Sequence, residues 1–502
     1  MILMKSLSHN GILIPKYEPR DFSILFKGSK IRLNPQQEEM AVAWVRKLGT
    51  EYAEDKVFIR NFFDDFCRAL GIEKASPEDF DFTEIKNFVE KDRETKLNMA
   101  KEEKKKLAAE RKVVREANRE KYGYAVIDGE KVELGNYMAE PSSIFMGRGK
   151  HPLRGKWKDG AKESDIILNL SPDSKTPPGK WKAIVWYPTC MWTAKWDDKL
   201  RGKEKYVWLS DTSPIKQERE KEKFDKASEL ERKFETIKEH IIKNLDSEDL
   251  KKRKIATVCY LIDALSMRVG DEKDEDEADT VGATTLTYKN IEICQNNLVK
   301  FDFIGKDYVK WEKNIVLPDN VVRNLKDFIS NSKSFVFDGV RSEDVNAFLS
   351  EIVDCVTAKV FRTYHASKAV REYVEKNSVD KNESETYKKY LATMANLQAA
   401  IVCNHKRKLP KKWKEILAKK NDRLKQLKLK KTKKSKEAIK ALKLKIELMK
   451  QTKDYNLNTS LKSYIDPRII YKWCKKVDFD WKKYYSKTLQ KKFSWIEKEK
   501  GN

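Results

Sequence analysis

Between Lys411 and Lys450 the chain holds 17 Lys or Arg and 4 acidic residues, a net +13. Such a segment cannot form a compact core alone, because its like charges repel and its apolar surface is small. It is nevertheless patterned. Trp413, Leu417, Leu424 and Leu427 keep helical spacing, and after the polar break KKTKKSK so do Ile439, Leu442, Ile446 and Met449. Each helix carries one narrow apolar stripe. Two such helices bury their stripes by folding back on each other, which predicts an antiparallel coiled-coil hairpin.

That hairpin carries half of the chain's excess charge: Lys plus Arg is 105, Asp plus Glu is 79, and the net is +26 over 502 residues. An excess so large and clustered points to a polyanion, first nucleic acid and second an acidic membrane surface. The hairpin is then either a cationic arm near DNA or a solvated spacer, and composition leaves both open. With 40% apolar residues and 12 Trp the chain can bury a real core, in about two to four domains.

Several function classes are excluded. The seven cysteines contain no C-x-x-C and are odd in number, as in a reduced intracellular chain. The five histidines, 9, 151, 240, 365 and 405, make no zinc spacing. There is no G-x-x-x-x-G-K-[ST] loop and no G-x-G-x-x-G, so neither a metal nor a nucleotide cofactor is expected. No run of about 18 apolar residues exists to span a membrane, and the N-terminus lacks a secretory h-region. The run DEKDEDEAD (271–279) resembles a calcium loop, but Asp276 stands where an EF-hand needs glycine; a solvated acidic loop is expected.

Along the chain, ILFKGSKIRL (24–33) reads as a hairpin and EEMAVAWVRKL (38–48) as a helix. Residues 96–121 are rich in helix formers and poor in apolar residues, which predicts one exposed connecting helix. Within 122–213, IILNL, KAIVWYP and KYVWLSD read as strands; residues 215–267 turn helical. ATTLTYKNI, NLVKFDFIGKD and VKWEKNIVL alternate as strands, 319–405 return to helix, and 456–502 form a compact helical piece.

Nothing within KSYIDPR alone marks Tyr464 as a nucleophile, but if the ligand is DNA and Tyr464 is taken as one, the chemistry makes definite demands. A phenolate attacking a phosphodiester must first lose a proton, and the free phenol pKa is about 10. Charge grows on the nonbridging oxygens and needs cationic hydrogen-bond donors, for which the arginine fork fits best. A histidine can add a donor, and a lysine can protonate the leaving 5′ oxygen. Candidates stand in order: Arg268 in DALSMRVGDEK, Lys306 in the turn FDFIGKD, Arg362 in AKVFRTYHAS, His405 in AIVCNHKRKLP, then Tyr464.

These segments resemble the eukaryotic type IB DNA topoisomerases, whose site residues run arginine, lysine, arginine, histidine, tyrosine, with a long basic linker before the last. PKYEPRD, SSIFMGRGKHP (142–152), ADTVGATTL (278–286), FDFIGKD, KVFRTYHAS, VCNHKR and SYIDPR are similar to family landmarks, so the resemblance covers nearly the whole chain. It implies an α+β fold arranged as a two-lobed DNA clamp. A mixed cap lobe (1–213) and a mostly helical tyrosine recombinase/topoisomerase IB catalytic lobe (214–407) precede the coiled-coil linker (408–455) and a small helical C-terminal domain (456–502). It implies that Tyr464 forms a 3′-phosphotyrosyl bond, that Arg268 and Arg362 clamp the nonbridging oxygens with His405 donating to one, and that Lys306 is the general acid that protonates the leaving 5′ oxygen. Arg148, Lys273, Thr280, Asp307, Lys359 and Ser463 match positions close to DNA. The implied protein is a nuclear monomer that relaxes duplex DNA without ATP, metal or any other cofactor, binding mainly phosphates with weak sequence preference.

Four departures stand out. Ser463 replaces the asparagine before the tyrosine, so a camptothecin-type inhibitor site is expected to be altered; comparison with Ser463→Asn tests that expectation. Asn458 stands where the family has glycine and is expected to keep a φ > 0 turn. Asp271 replaces an asparagine and adds a negative charge. The charged N-terminal extension of the nuclear enzymes is expected to be missing, which would move targeting to KKLAAERK or the lysines near 430. The acidic run 274–277 is expected to meet Arg154 or Lys156 when a clamp closes. A tyrosine recombinase is the nearest rival, but K-x-x-R at Lys359–Arg362 replaces its usual H-x-x-R. A non-enzymatic DNA-binding or chromatin protein would explain the charge and not the ordered five residues.

Overall fold

The computed structural model describes residues 3–147, 149–270, 281–305, 309–332, 334–354, 356–429 and 432–499. The chain forms two compact units, one up to Lys216 and the other from Gln217. Helix and small sheets mix in both, as an α+β chain should.

In the first unit, helices Pro35–Val45, Lys56–Leu70 and Thr83–Asn98 pack on the sheet Ser29–Arg32, Ser23–Phe26, Phe80–Asp81. Phe58, Phe62 and Phe66 recur at four-residue spacing and are fully buried, so one face of this helix lines the core. The predicted hairpin turns at Lys27 and Gly28, both at positive φ. Fully buried Glu38 accepts hydrogen bonds from Tyr17 Oη (2.7 Å), Arg20 N (2.8 Å) and Phe22 N (3.0 Å), which fixes the PKYEPRD loop. A second core joins the sheet Leu7–His9, Tyr124–Ile127, Glu130–Glu133 to the four strands Ala183–Val185, Ile167–Asn169, Trp192–Asp197, Glu204–Trp208.

Three expectations change. The single helix from 96 to 121 is two: Thr83–Asn98 ends at Met99 (ψ 131°), and Lys101–Tyr122 begins afresh with Glu103 bonded back to the Ala100 amide. Trp192–Asp197 is a strand that its mixed charge concealed. ATTLTYKNI supplies no strand before Ile291; Thr287 and Asn290 instead cap one another in a short turn.

The second unit packs helices Phe234–Asn244, Leu250–Leu265, Asp319–Ser330 and Ser342–Ser350 around the sheet Ile291–Ile293, Leu298–Gly305, Val309–Val316. Helices Ala358–Lys376 and Glu385–Val402 pair along their length and share a core with Ile465, Ile470, Trp473 and Phe493 of the C-terminal segment. The basic segment forms the hairpin Trp413–Leu429 and Lys433–Gln451, antiparallel because Trp413 Nε1 at one end donates to Met449 O at the other (3.3 Å). Its second helix buries Leu442 and Ile446 and lies along Glu385–Val402. Tyr390 Oη donates to Glu447 (2.9 Å) and Lys440 pairs with Glu383 (3.5 Å).

Candidate active site

Tyr464 is reached through a seven-residue helix, Leu457–Ser463, of which it is the C-cap. Ser460 Oγ donates to Asn396 Oδ1 (2.8 Å), and Asn396 Nδ2 donates to Leu457 O (3.1 Å), so this short helix is tied to Glu385–Val402. Ser367 Oγ donates to Tyr464 O (3.2 Å) and accepts from Asp466 N (3.0 Å), tying the following turn to Ala358–Lys376. Asp466 then caps Pro467–Lys476 through Arg468 N and pairs with the Arg468 guanidinium, which also reaches Asp225 (2.7 Å). Asn458 lies inside the short helix and is not among the positive-φ residues, so the expected turn there is corrected: Asn456 opens the helix instead.

Arg362 projects from Ala358–Lys376 and is 4% exposed. Its Nη2 donates to Cys403 O (2.6 Å), its Nη1 to Tyr464 Oη (3.3 Å), and its guanidinium lies 4.9 Å from the Tyr464 ring centre. Its Nε is buried with no partner among the described residues.

His405 enters by a helix ending that the sequence spells out. Past Val402 the chain turns left-handed at Asn404 (φ 51°), Asn404 N donates to Ile401 O, and His405 N to Ala400 O. This is a Schellman ending with asparagine at the left-handed position. It swings the imidazole inward to 5.0 Å from the Tyr464 ring, centre to centre. Both ring nitrogens are buried without a partner among the described residues. Burial first, then the charges of Arg362 and Arg268, push its pKa down to about 3.

Arg268 follows Leu250–Leu265, which ends with Ser266 at φ 51°. Arg268 O accepts from Ala283 N (2.8 Å) and Val269 O from Thr284 N (2.7 Å). The two segments touch so closely that a Cβ on Gly282 would stand 2.4 Å from Gly270 Cα, which explains glycine in both RVG and TVG. Arg268 is half-buried, and its pKa is lowered by burial and then by Arg362, while Tyr464 and Cys403 act the other way.

Four of the five sequence candidates therefore converge. Lys306, Arg148, Lys273, Thr280 and Asp307 lie outside the described residues, as do Asp271 and the acidic run 274–277. Lys359 opens the Arg362 helix and acts electrostatically on Lys223. Ser463 ends the short helix, and its carbonyl accepts from Lys223 Nζ (3.0 Å). Sequence reasoning missed Lys313, whose Nζ donates to Leu265 O (2.9 Å) and whose pKa is lowered chiefly by burial, with Cys403 opposing and Arg362 adding. It also missed Ser367, although that residue ends the quoted KVFRTYHAS.

The arrangement offers a phenol, unpartnered donors of an arginine and a histidine, and a second arginine, which together suit an oxyanion. His405 should stay neutral through the whole neutral range. The folded chain refuses a proton that an unfolded histidine accepts near its ordinary pKa of about 6.5. Its contribution to stability is then complete above about pH 6.5 and is lost as pH falls toward about 3. The His405 ring-proton NMR shift should be flat from about pH 8 to 5; a midpoint near 6.5 would contradict this burial.

The profile described as "Eukaryotic DNA topoisomerase I, DNA binding fragment" matches residues 3–209, "Eukaryotic DNA topoisomerase I, catalytic core" matches 212–439, and "C-terminal topoisomerase domain" matches 436–502. DNA topoisomerase 1 beta of Arabidopsis thaliana is 35% identical over 98% of this chain and 58% of its own length. DNA topoisomerase 1 of Drosophila melanogaster is 32% identical over 98% and 54%. DNA topoisomerase 1 of Homo sapiens is 32% identical over 98% and 71%. The chain thus spans little more than half of the plant and fly relatives.

Proposed function

The chain belongs to the eukaryotic DNA topoisomerase I family, and from that membership we propose that it relaxes positive and negative supercoils as a type IB enzyme. The observation that carries this reading is the convergence of Arg268, Arg362 and His405 on the buried Tyr464, with unpartnered donors on Arg362 and His405.

Tyr464 Oη gives its proton to solvent and attacks the scissile phosphorus. The new P–O(Tyr) bond forms as the P–O5′ bond breaks, and Lys306 gives its proton to the departing 5′ oxygen. Arg268 and Arg362 hold the nonbridging oxygens, and neutral His405 donates one ring N–H to one of them. One phosphodiester is exchanged for another, so no nucleotide is consumed. The free 5′ end turns about the intact strand, torsional strain drives relaxation, and the 5′-OH then reverses the attack.

Residues 1–213 and 214–407 serve as the two lobes holding duplex DNA, 408–455 as linker and 456–502 as the domain that delivers the tyrosine. Arg148, Lys273, Thr280, Asp307 and Lys359 supply contacts near the cut, and Ser463 alters a camptothecin-type inhibitor site. The protein acts as a nuclear monomer; among the described residues no helix is long and apolar enough to cross a membrane. The test is plasmid relaxation in EDTA without ATP. Full relaxation is expected, with activity falling steeply as salt rises because the contacts are mostly to phosphates. A requirement for magnesium or ATP would refute the mechanism.

A further inference from the structure

The carbonyls just before Tyr464 are held in an unexpected way. Lys492 Nζ donates to Lys462 O (2.9 Å), and Lys223 Nζ donates to Ser463 O (3.0 Å). Both ammonium groups share one carboxylate oxygen, Glu220 Oε1, at 3.1 and 2.6 Å. The Lys492 side chain is 7% exposed, Glu220 17% and Lys223 21%. Burying two ammonium groups beside each other is costly unless each has several partners, and one carboxylate cannot neutralise both. The remaining partners are backbone oxygens of the last turn of Leu457–Ser463, whose outward-facing carbonyls carry partial negative charge. With Ser367 Oγ on Tyr464 O, each of three consecutive carbonyls, 462 to 464, has a side-chain donor.

Three separate parts of the chain meet here. Glu220 and Lys223 lie on Pro214–Arg232, Lys492 ends Lys487–Lys492, and the gripped carbonyls lie between them in space, about 240 and 30 residues away in sequence. The carbonyl of Ser463 belongs to the peptide plane that leads into Tyr464. Fixing its direction fixes the plane from which the Tyr464 side chain departs. We propose that Glu220, Lys223 and Lys492 form a carbonyl clamp that positions the nucleophile: they touch neither the phenol nor the scissile phosphate, and they set the rotation of the backbone that carries Tyr464. This rests on the reading of Tyr464 as nucleophile.

The electrostatics agree with the geometry. Burial lowers the Lys223 pKa to about 8, against Glu220, with Lys492 and Lys359 lowering it further. Lys223 keeps its charge against burial through Glu220, so loss of the Glu220 carboxylate should weaken its hold on Ser463 O.

Lys492→Met keeps the stem and removes the charge; Glu220→Gln removes the shared anchor. Two measurements decide. The first is amide exchange in the DNA-free protein: residues 457–466 should exchange about tenfold faster in either variant, while 385–402 should not change. The second is single-turnover covalent attachment to a duplex with a truncated downstream strand. The rate should fall about 10- to 100-fold, the range for a displaced reacting group, while DNA affinity holds at a temperature where the variant is folded. A substrate with sulfur in place of the 5′ bridging oxygen needs no acid to leave, so the variants should remain slow on it. Unchanged exchange at 457–466, attachment within twofold of the parent, full recovery on the sulfur substrate, or affinity falling in step with rate would each overturn the clamp. If one variant does not fold, the other decides by the same criteria. If the parent makes no covalent complex, the nucleophile reading fails and amide exchange still judges the clamp.

Discussion

Tyr464→Phe is expected to give a protein that binds duplex DNA and does not cut it. The substitution removes one oxygen. The ring stays between His405 and the Arg362 guanidinium, at 5.0 and 4.9 Å from their centres, so packing is preserved. The folded protein loses the 3.3 Å hydrogen bond from Arg362 Nη1, worth about 1 kcal/mol. The reaction loses the atom that bonds to phosphorus. Removal of a covalent nucleophile costs on the order of 10⁵- to 10⁶-fold, so plasmid relaxation should fall below detection and no covalent complex should be trapped by detergent. DNA affinity, dominated by phosphate contacts, should stay within about twofold. Residual relaxation by the purified variant would mean that another residue is the nucleophile.

Arg362→Ala should have the next largest effect. One face of the guanidinium secures Cys403 O and the other is turned to the phenol, so a single side chain links the helix ending before His405 to the nucleophile. Losing a donor aimed at developing charge costs about 10²- to 10³-fold, and single-turnover attachment should fall by that much. Arg362→Lys should recover little, because a point charge cannot serve the carbonyl and the oxyanion together. Stability should fall by about 1–3 kcal/mol, since the Cys403 carbonyl is left buried and unpartnered. The variant also reports on His405. Arg362 is the second cause holding that imidazole near 3, so the His405 pKa should rise in Arg362→Ala without regaining 6.5, because burial, the first cause, remains. An unchanged His405 titration together with near-parent attachment would remove Arg362 from the site.

How legible this was differs from residue to residue. Tyr464, Arg362, His405 and Arg268 were readable through their residue types, their order along the chain and the family resemblance of their segments, not through any one segment alone. The features that place them, the left-handed Asn404 before His405, the Asp466-Pro467 helix start behind Tyr464 and the paired glycines beside Arg268, became visible only in the fold. The break at Met99 was not, because strong helix formers flank it on both sides and only tertiary context decides where they part. Asn458 misled, since a residue that tolerates a left-handed turn also tolerates a helix. The lysines that hold the tyrosine's backbone were out of reach. In a chain with 105 Lys or Arg, nothing in the letters separates a buried lysine with two partners from one waving in solvent.

Arg268 and Arg362 are within each other's field, and among the described residues the groups acting on Arg268 are Arg362, Tyr464 and Cys403. His405, beside them, is held neutral by burial and by the same two arginines. Two like charges enclosed this way raise the free energy of the empty protein. In the proposed reaction a phosphodiester held between them would offset that repulsion, and would offset more of it as charge builds on the nonbridging oxygens. The site would then come closest to electrostatic balance while the strand is being broken, which is where a catalyst gains most.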